Sequence, residues 1–153
     1  MAGLFLLRQE SFLYCCHMAQ ISDLVKQFYL QLWNQRDYEI ANQILQEQVN
    51  FRGSLGPAMV GRDKVCEYVK SVTDALQNYT CEIQEIVVDG EKAAAKVLFR
   101  GIHVGQFMGF EPTGKEVSWL GAAFFESDNG MLTNIWVLGD IQGLLKKLEQ
   151  NKG

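Results

Sequence analysis

Residues 93–107, AAAKVLFRGIHVGQF, form an apolar, β-prone run about twice as long as a typical strand. A strand of that length belongs to a sheet that bends, and Gly101 and Gly105 are where it can do so. The flanking segments supply the partners. YTCEIQEIVVD (79–89) enters through the tight-turn signal Asp89-Gly90, and EVSWLGAAFFE (116–126) follows a loop, 108–115, marked by Pro112 and Gly114. Asp128-Asn129-Gly130 then turns into MLTNIWVL (131–138). The second half of the chain therefore reads as an antiparallel meander.

The first half has the other period. Ser22 is placed to cap a helix over Asp23–Asn34, where Leu24, Phe28 and Leu32, with Tyr29 and Trp33 beside them, make an apolar stripe. RDYEIANQILQEQ (36–48) predicts a second helix with Ile40, Ile44 and Leu45 on one side, VNFRG (49–53) a short strand, and SLGPAMVG a loop. Residues 62–77 carry Val65, Tyr68, Val69, Val72 and Leu76 at helical intervals, and 141–150 read as a short closing helix. Helices first and strands afterwards define an α+β fold. The expected architecture is a curved antiparallel sheet with the N-terminal helices packed over it, a cone around an internal apolar pocket.

With 153 residues, 48% hydrophobic and 21% charged, the chain fits one domain, placed at residues 18–153. Met18 stands directly before the first well-signalled helix, so residues 1–17 are expected to be a dispensable extension. The apolar stretch LFLL near the start has no preceding cation and is broken by Arg8, Gln9 and Glu10, which argues against both a signal peptide and a membrane span. A net charge of −4 leaves no basic face for nucleic acid. The four cysteines, Cys15, Cys16, Cys66 and Cys81, form no CxxC pair, and only His17 and His103 could join them at a metal. Free thiols, no metal and a cytoplasmic location are the expectation.

The candidate chemistry centres on IWVLGD (135–140). Alternation puts Trp136, Leu138 and Asp140 on one face and Ile135, Val137 and Gly139 on the other. A carboxylate beside a Trp and a Leu would be desolvated and suited to taking a proton. The same Asp, directly before IQGLLKKL, is also where a helix N-cap belongs. His103 shares its strand face with Val97, Phe99, Gly101, Gly105 and Phe107, either as a satisfied core residue or, with glycines clearing space beside it, as a ligand contact. Arg52 is open between solvent and a buried partner, while Arg100 is expected in solvent. Trp33, Tyr68, Phe107, Trp119 and Trp136 are candidate pocket walls as well as candidate core. There is no GxGxxG opening a helix, no GxxxxGK[ST] and no GxSxG.

VKQFYLQLWNQRD, FRGSLGPAMVGRDKV, GIHVGQFMGFEPTGKEVSWLGAAFF and NIWVLGDIQGLLKKL occur in the order found in the SnoaL-like polyketide cyclase, or ester cyclase, family. From about Gln20 to Leu148 the chain resembles that family, within the nuclear-transport-factor-2-like superfamily. The resemblance implies a cone enclosing an apolar pocket, and an intramolecular aldol condensation carried out without metal, cofactor or Schiff base. It also implies that Asp140, ending the family's W-x-x-x-D segment, is the acid/base residue. His103 stands at the T-H-x-G type histidine, with Ile102 in place of the threonine. The implied partner is a small hydrophobic carbonyl compound, for which Trp33, Arg52, Tyr68, Phe107, Trp119 and Trp136 are the candidate contacts, and the expected assembly is a homodimer or higher homo-oligomer. A non-catalytic module binding a hydrophobic ligand, or pairing through its sheet, is the alternative on the same fold.

Overall fold

The computed structural model describes residues 20–153. The expected extension, residues 1–17, with Cys15, Cys16 and His17, lies outside them. A helix, α1, covers 20–33, and its last part, Phe28–Trp33, is wound as a π-helix in which the Asn34 N–H donates to the Tyr29 carbonyl at 3.0 Å. Then come α2 (Ile40–Ile44), β1 (Leu45–Arg52), β2 (Ala58–Val60) and α3 (Arg62–Ala75). Strands β3 (Leu76–Asp89), β4 (Lys92–His103), β5 (Glu116–Asp128) and β6 (Met131–Gly139) precede α4 (Ile141–Asn151). The six strands form one sheet in the order β2-β1-β6-β5-β4-β3. All neighbours are antiparallel except β1 and β6, which run parallel, so the sheet is mixed. The helices cover its inner face, giving the α+β cone.

The expected turns form for conformational reasons. Asn129 (φ 50°) and Gly130 (φ 75°) both take positive φ between β5 and β6, the requirement of a two-residue turn that matches strand twist. Elsewhere the tertiary structure overrides local pattern. The helix expected over 36–48 stops at Ile44, because Leu45, Val49 and Phe51 alternate inward as β1 and pair with β6. The Arg62 Nε donates to the Leu45 carbonyl at 3.1 Å and helps to hold that switch. Part of the expected 54–61 loop, Ala58–Val60, is an edge strand.

The long run 93–107 leaves the sheet after His103 instead of continuing through a bend. Val104 and Gly105 both donate to the Ala75 carbonyl at 3.0 Å, and a Cβ on Gly105 would stand 3.1 Å from the Ala75 Cα. Gly101 permits a second close approach, since a Cβ there would meet the Leu76 Cβ at 2.8 Å. Both contacts fasten the end of β4 to the α3–β3 junction, where helix passes into strand without a linker.

β3 is an edge strand, and one side chain covers part of its open side. The Asn34 Nδ2 donates to the Cys81 carbonyl at 2.9 Å, while the Cys81 N–H donates to the Asn34 Oδ1 at 2.7 Å. One carboxamide thus supplies what a further strand would, and ties the end of α1 to the sheet. Asn34→Ala should lower the unfolding free energy by about 2 kcal/mol, the loss of two hydrogen bonds to half-buried backbone groups. Urea unfolding should register this as a lower midpoint at unchanged slope.

Candidate functional site

Alternation along β4 and β5 sends Val97, Phe99, Gly101 and His103, and Val117, Trp119, Gly121 and Ala123, to the inner face. Phe99 lies opposite Trp119, with ring centroids 5.4 Å apart. Across from them the π-helical end of α1 supplies Phe28, Tyr29 and Trp33, all buried. Residues four apart share a helix face. Tyr29 and Trp33 consequently line one apolar cleft together with Ser54, Tyr68, Tyr79 and Phe99. Its water-accessible volume is about 10 Å³. That is room for about one water, so the cone is nearly filled by its own aromatic side chains.

His103 has no solvent exposure. Its Nδ1 is 3.2 Å from the Thr113 Oγ1, and its Nε2 has no hydrogen-bond partner. The 108–115 loop is fastened over it, with the His103 N–H donating to the Lys115 carbonyl at 3.0 Å and the Gly114 N–H to the His103 carbonyl at 2.8 Å. A run of rings leads from the imidazole to the cleft: Phe107 at 6.1 Å, Trp119 at 6.0 Å from Phe107, and Tyr79 at 6.1 Å from Trp119.

Asp140 lies elsewhere. It is exposed and caps α4, its Oδ1 accepting from the Gly143 N–H at 3.0 Å. Its own N–H donates to the Leu120 carbonyl at 2.8 Å. Leu120 pairs with Leu98, five residues before His103 on β4, so the two candidates stand about 16 Å apart along the strand direction. The alternation expected within 135–140 exists, but the face carrying Trp136 and Leu138 is the outer one: these residues are 39% and 52% exposed, whereas Ile135 and Val137 are buried. The expectation of a desolvated carboxylate beside Trp136 is corrected accordingly.

Arg52 belongs to the same exterior. Its Nη1 donates to the Val137 carbonyl, and its guanidinium lies 5.3 Å from the centroid of the Trp136 ring. Of the residues singled out from sequence, the interior collects Trp33, Phe107, Trp119 and His103, with Tyr68 half-buried at the cleft; Arg52, Trp136 and Asp140 are outside it. Arg100 pairs with Glu82 at 3.6 Å at the surface, as expected of a solvent-facing arginine. Sequence reasoning missed Ser54, Tyr79 and Thr113, because what recruits each to the site is a partner distant in sequence. The Trp119 Nε1, for instance, donates to the Ser54 Oγ at 3.2 Å.

Burial governs the electrostatics of the cleft. It pushes the Tyr29 and Tyr79 hydroxyls well above their ordinary value, with the nearby Cys81 adding to the effect. Tyr68 is pushed up to about 12, burial outweighing hydrogen bonds from the Leu55 backbone and Ser54. The buried Cys81 thiol is raised too, and the Tyr79 hydroxyl hydrogen-bonds it. All four groups are neutral at neutral pH. Among the described residues, no three His, Cys, Asp or Glu side chains gather as a metal site, and no helix is long and apolar enough to cross a membrane.

A mixed sheet curled under helices, with an aromatic pocket inside, defines the cone-shaped α+β class. Within it, the chain belongs to the SnoaL-like polyketide cyclase family, whose profile it matches over residues 23–148. The fold is shared with a candidate polyketide cyclase from Acidithiobacillus ferrooxidans (23% identity, 86% of this chain and 96% of that one, TM-score 0.75). It is shared also with TsrD from Streptomyces laurentii (22%, 85% and 95%, 0.76). An LEH-like epoxide hydrolase of M. tuberculosis is similar as well (16%, 88% of each chain, 0.69). No curated protein matches the sequence significantly.

The raised phenols and thiol make stability sensitive to alkali. The folded chain holds these protons more tightly than the unfolded one, so their contribution is complete below the ordinary values, 9.0 for the thiol and 10.0 for the phenols. It is lost as pH rises, for Tyr68 between 10.0 and about 12. Urea midpoints should therefore fall steeply above pH 9–10, and Tyr68→Phe should make that fall shallower.

Proposed function

We propose that the chain binds a small hydrophobic carbonyl compound in the interior pocket and acts on it by acid/base chemistry without metal or cofactor, as an aldol-type cyclisation or an isomerisation. The observation that carries this reading is His103: wholly buried among aromatic rings, oriented through Nδ1 by Thr113, and unpartnered at Nε2. The interior phenols and thiol keep their protons at neutral pH, which leaves an imidazole as the inner side chain suited to exchanging one. Family position gives Asp140 the complementary role of taking a proton from the carbon beside the carbonyl. Gly139 supports a place at the pocket rim, since a Cβ there would stand 2.6 Å from the Ser54 carbonyl and 3.2 Å from the Trp119 ring. The two residues stand about 16 Å apart along the strand direction, too far to serve one enolate, whose oxygen lies two bonds from the carbon that gives up the proton. One of them therefore takes that proton while the other contacts a remote part of the ligand.

A second reading, a non-catalytic module on the same fold, is favoured by the nearly filled cleft and by the bond between Asp140 and the α4 backbone. Exchange of α-protons for deuterium in a panel of hydrophobic ketones and esters, followed by NMR, distinguishes the two without knowledge of the natural substrate. Catalysis predicts exchange by the wild type and a loss of about 100-fold or more on replacing the residue that takes the proton, in His103→Gln or in Asp140→Asn. Asparagine also caps helices well, so Asp140→Asn should melt close to the wild type. Exchange no faster than in buffer, with ligand bound, would establish the binding module instead.

The outer sheet face supports the proposed homodimer. Leu120, Phe124, Trp136 and Leu138 are between 39% and 52% exposed, Phe124 pairs with Trp136 across the strands, and Ala122 with Leu138. An apolar patch of this kind on a soluble domain marks an association surface. Light scattering at micromolar concentration should give twice the chain mass, and Phe124→Glu should return it to one.

A further inference from the structure

Three polar groups lining the interior cleft have protein partners. The Ser54 Oγ accepts from the Trp119 Nε1, the Tyr68 hydroxyl bonds with Ser54 and the Leu55 backbone, and the Tyr79 hydroxyl bonds with Cys81. Two remain: the Tyr29 hydroxyl and the Trp33 Nε1, both buried and both without a partner. An indole N–H can only donate. Burial keeps the Tyr29 phenol protonated, so it too has a proton to give. Each unmet buried donor costs stability, and natural interiors leave few of them.

The backbone beneath these two side chains is itself unusual. Phe28–Trp33 is a π-helical segment, a winding that is rare overall and frequent at functional sites. It carries Tyr29 and Trp33 to the same cleft, which has no cation among its lining residues. We propose that Tyr29 and Trp33 form an oxygen-binding subsite for an uncharged acceptor, the carbonyl oxygen of a ketone or ester, separate from His103. This rests on the reading of the interior as a ligand pocket, and gives that pocket its polar anchor.

Size is consistent with the assignment. The cleft holds about 10 Å³, which suits one oxygen atom but not the carbon skeleton behind it. Room for the skeleton comes from Tyr68, the one aromatic of the lining that is half-buried, whose ring lies over Gly53 and stands edge-on to Trp33 at 5.9 Å. Swinging that ring outward would open the cleft beside Trp33 and Phe51, its ring neighbours.

The test compares cyclohexanone with methylenecyclohexane, a molecule of the same shape in which CH₂ replaces the acceptor oxygen. Both are titrated into the full chain while the three indole N–H resonances are followed, Trp33 being identified by its loss in Trp33→Phe. The subsite predicts about tenfold tighter binding of the ketone, a downfield shift of the Trp33 N–H, and loss of the preference in Tyr29→Phe. It also predicts that Tyr29→Phe, by removing an unmet donor, raises the melting temperature of the unliganded chain. Equal affinities, no binding of either compound, or a lowered melting temperature in Tyr29→Phe would overturn the proposal, the last by showing that the hydroxyl is held by a structural water. Ketone preference without α-proton exchange would support the subsite while removing the catalytic reading; exchange without the preference would do the reverse.

Discussion

The pairing of β4 with β5 is the constraint on which the remainder rests. Eleven successive residues pair without a register shift, from Lys92 opposite Glu126 to Ile102 opposite Glu116. A slip of one residue would turn either Phe99 and His103 on β4 or Trp119 on β5 from the interior to the surface. Register also sets Gly121 opposite Val97, where the absence of a side chain is a steric requirement, since a Cβ there would come within 2.6 Å of the Phe99 ring. The ladder therefore decides which rings enter the interior and leaves the space that the largest of them need.

Much of this is legible in the sequence because it follows from period. Apolar residues at helical spacing mark α1 and α3, and the Asn129-Gly130 turn follows from the need for positive φ at both positions. The face of β6 is not legible. Its apolar residues fall on both sides, with Ile135 and Val137 alternating against Trp136 and Leu138, so alternation separates the two sets without saying which is inside. The inward set is fixed by pairing with β5, where Ile135 meets Phe125 and Val137 meets Ala123. Local pattern puts Asp140 in an apolar setting for that reason alone. The overlong second helix has a related cause. A five-residue helix is weak by itself, and pairing with β6 claims the residues that local pattern would have added to it.

The fold narrows the chemistry less than the interior does. One architecture can carry unrelated activities, so the cone by itself does not select a reaction. Function has to be argued from the polar groups that the apolar interior admits. Here that set is short: a histidine held by Thr113, the Ser54 hydroxyl, phenols that burial keeps neutral, a thiol bonded to Tyr79, and two indoles. No Asp, Glu, Lys or Arg lines the cleft. An interior of this kind favours a neutral ligand, because a charged one would lose its hydration and find no counter-ion.

An unmet donor is a stability cost that a purely structural interior would have no reason to keep. Phenylalanine at position 29 would fill nearly the same volume as Tyr29 and contribute the same packing against Phe28, Phe99 and Phe125, without a hydroxyl to desolvate. The π-winding of Phe28–Trp33 adds to that cost, since a regular helix makes better-aligned hydrogen bonds. Both penalties fall on one segment, while Ser54, Tyr68 and Tyr79 across the cleft have their polar groups paired. Local departures from consistency concentrated in this way are what binding requires of a fold: the site is left incomplete so that a ligand can complete it.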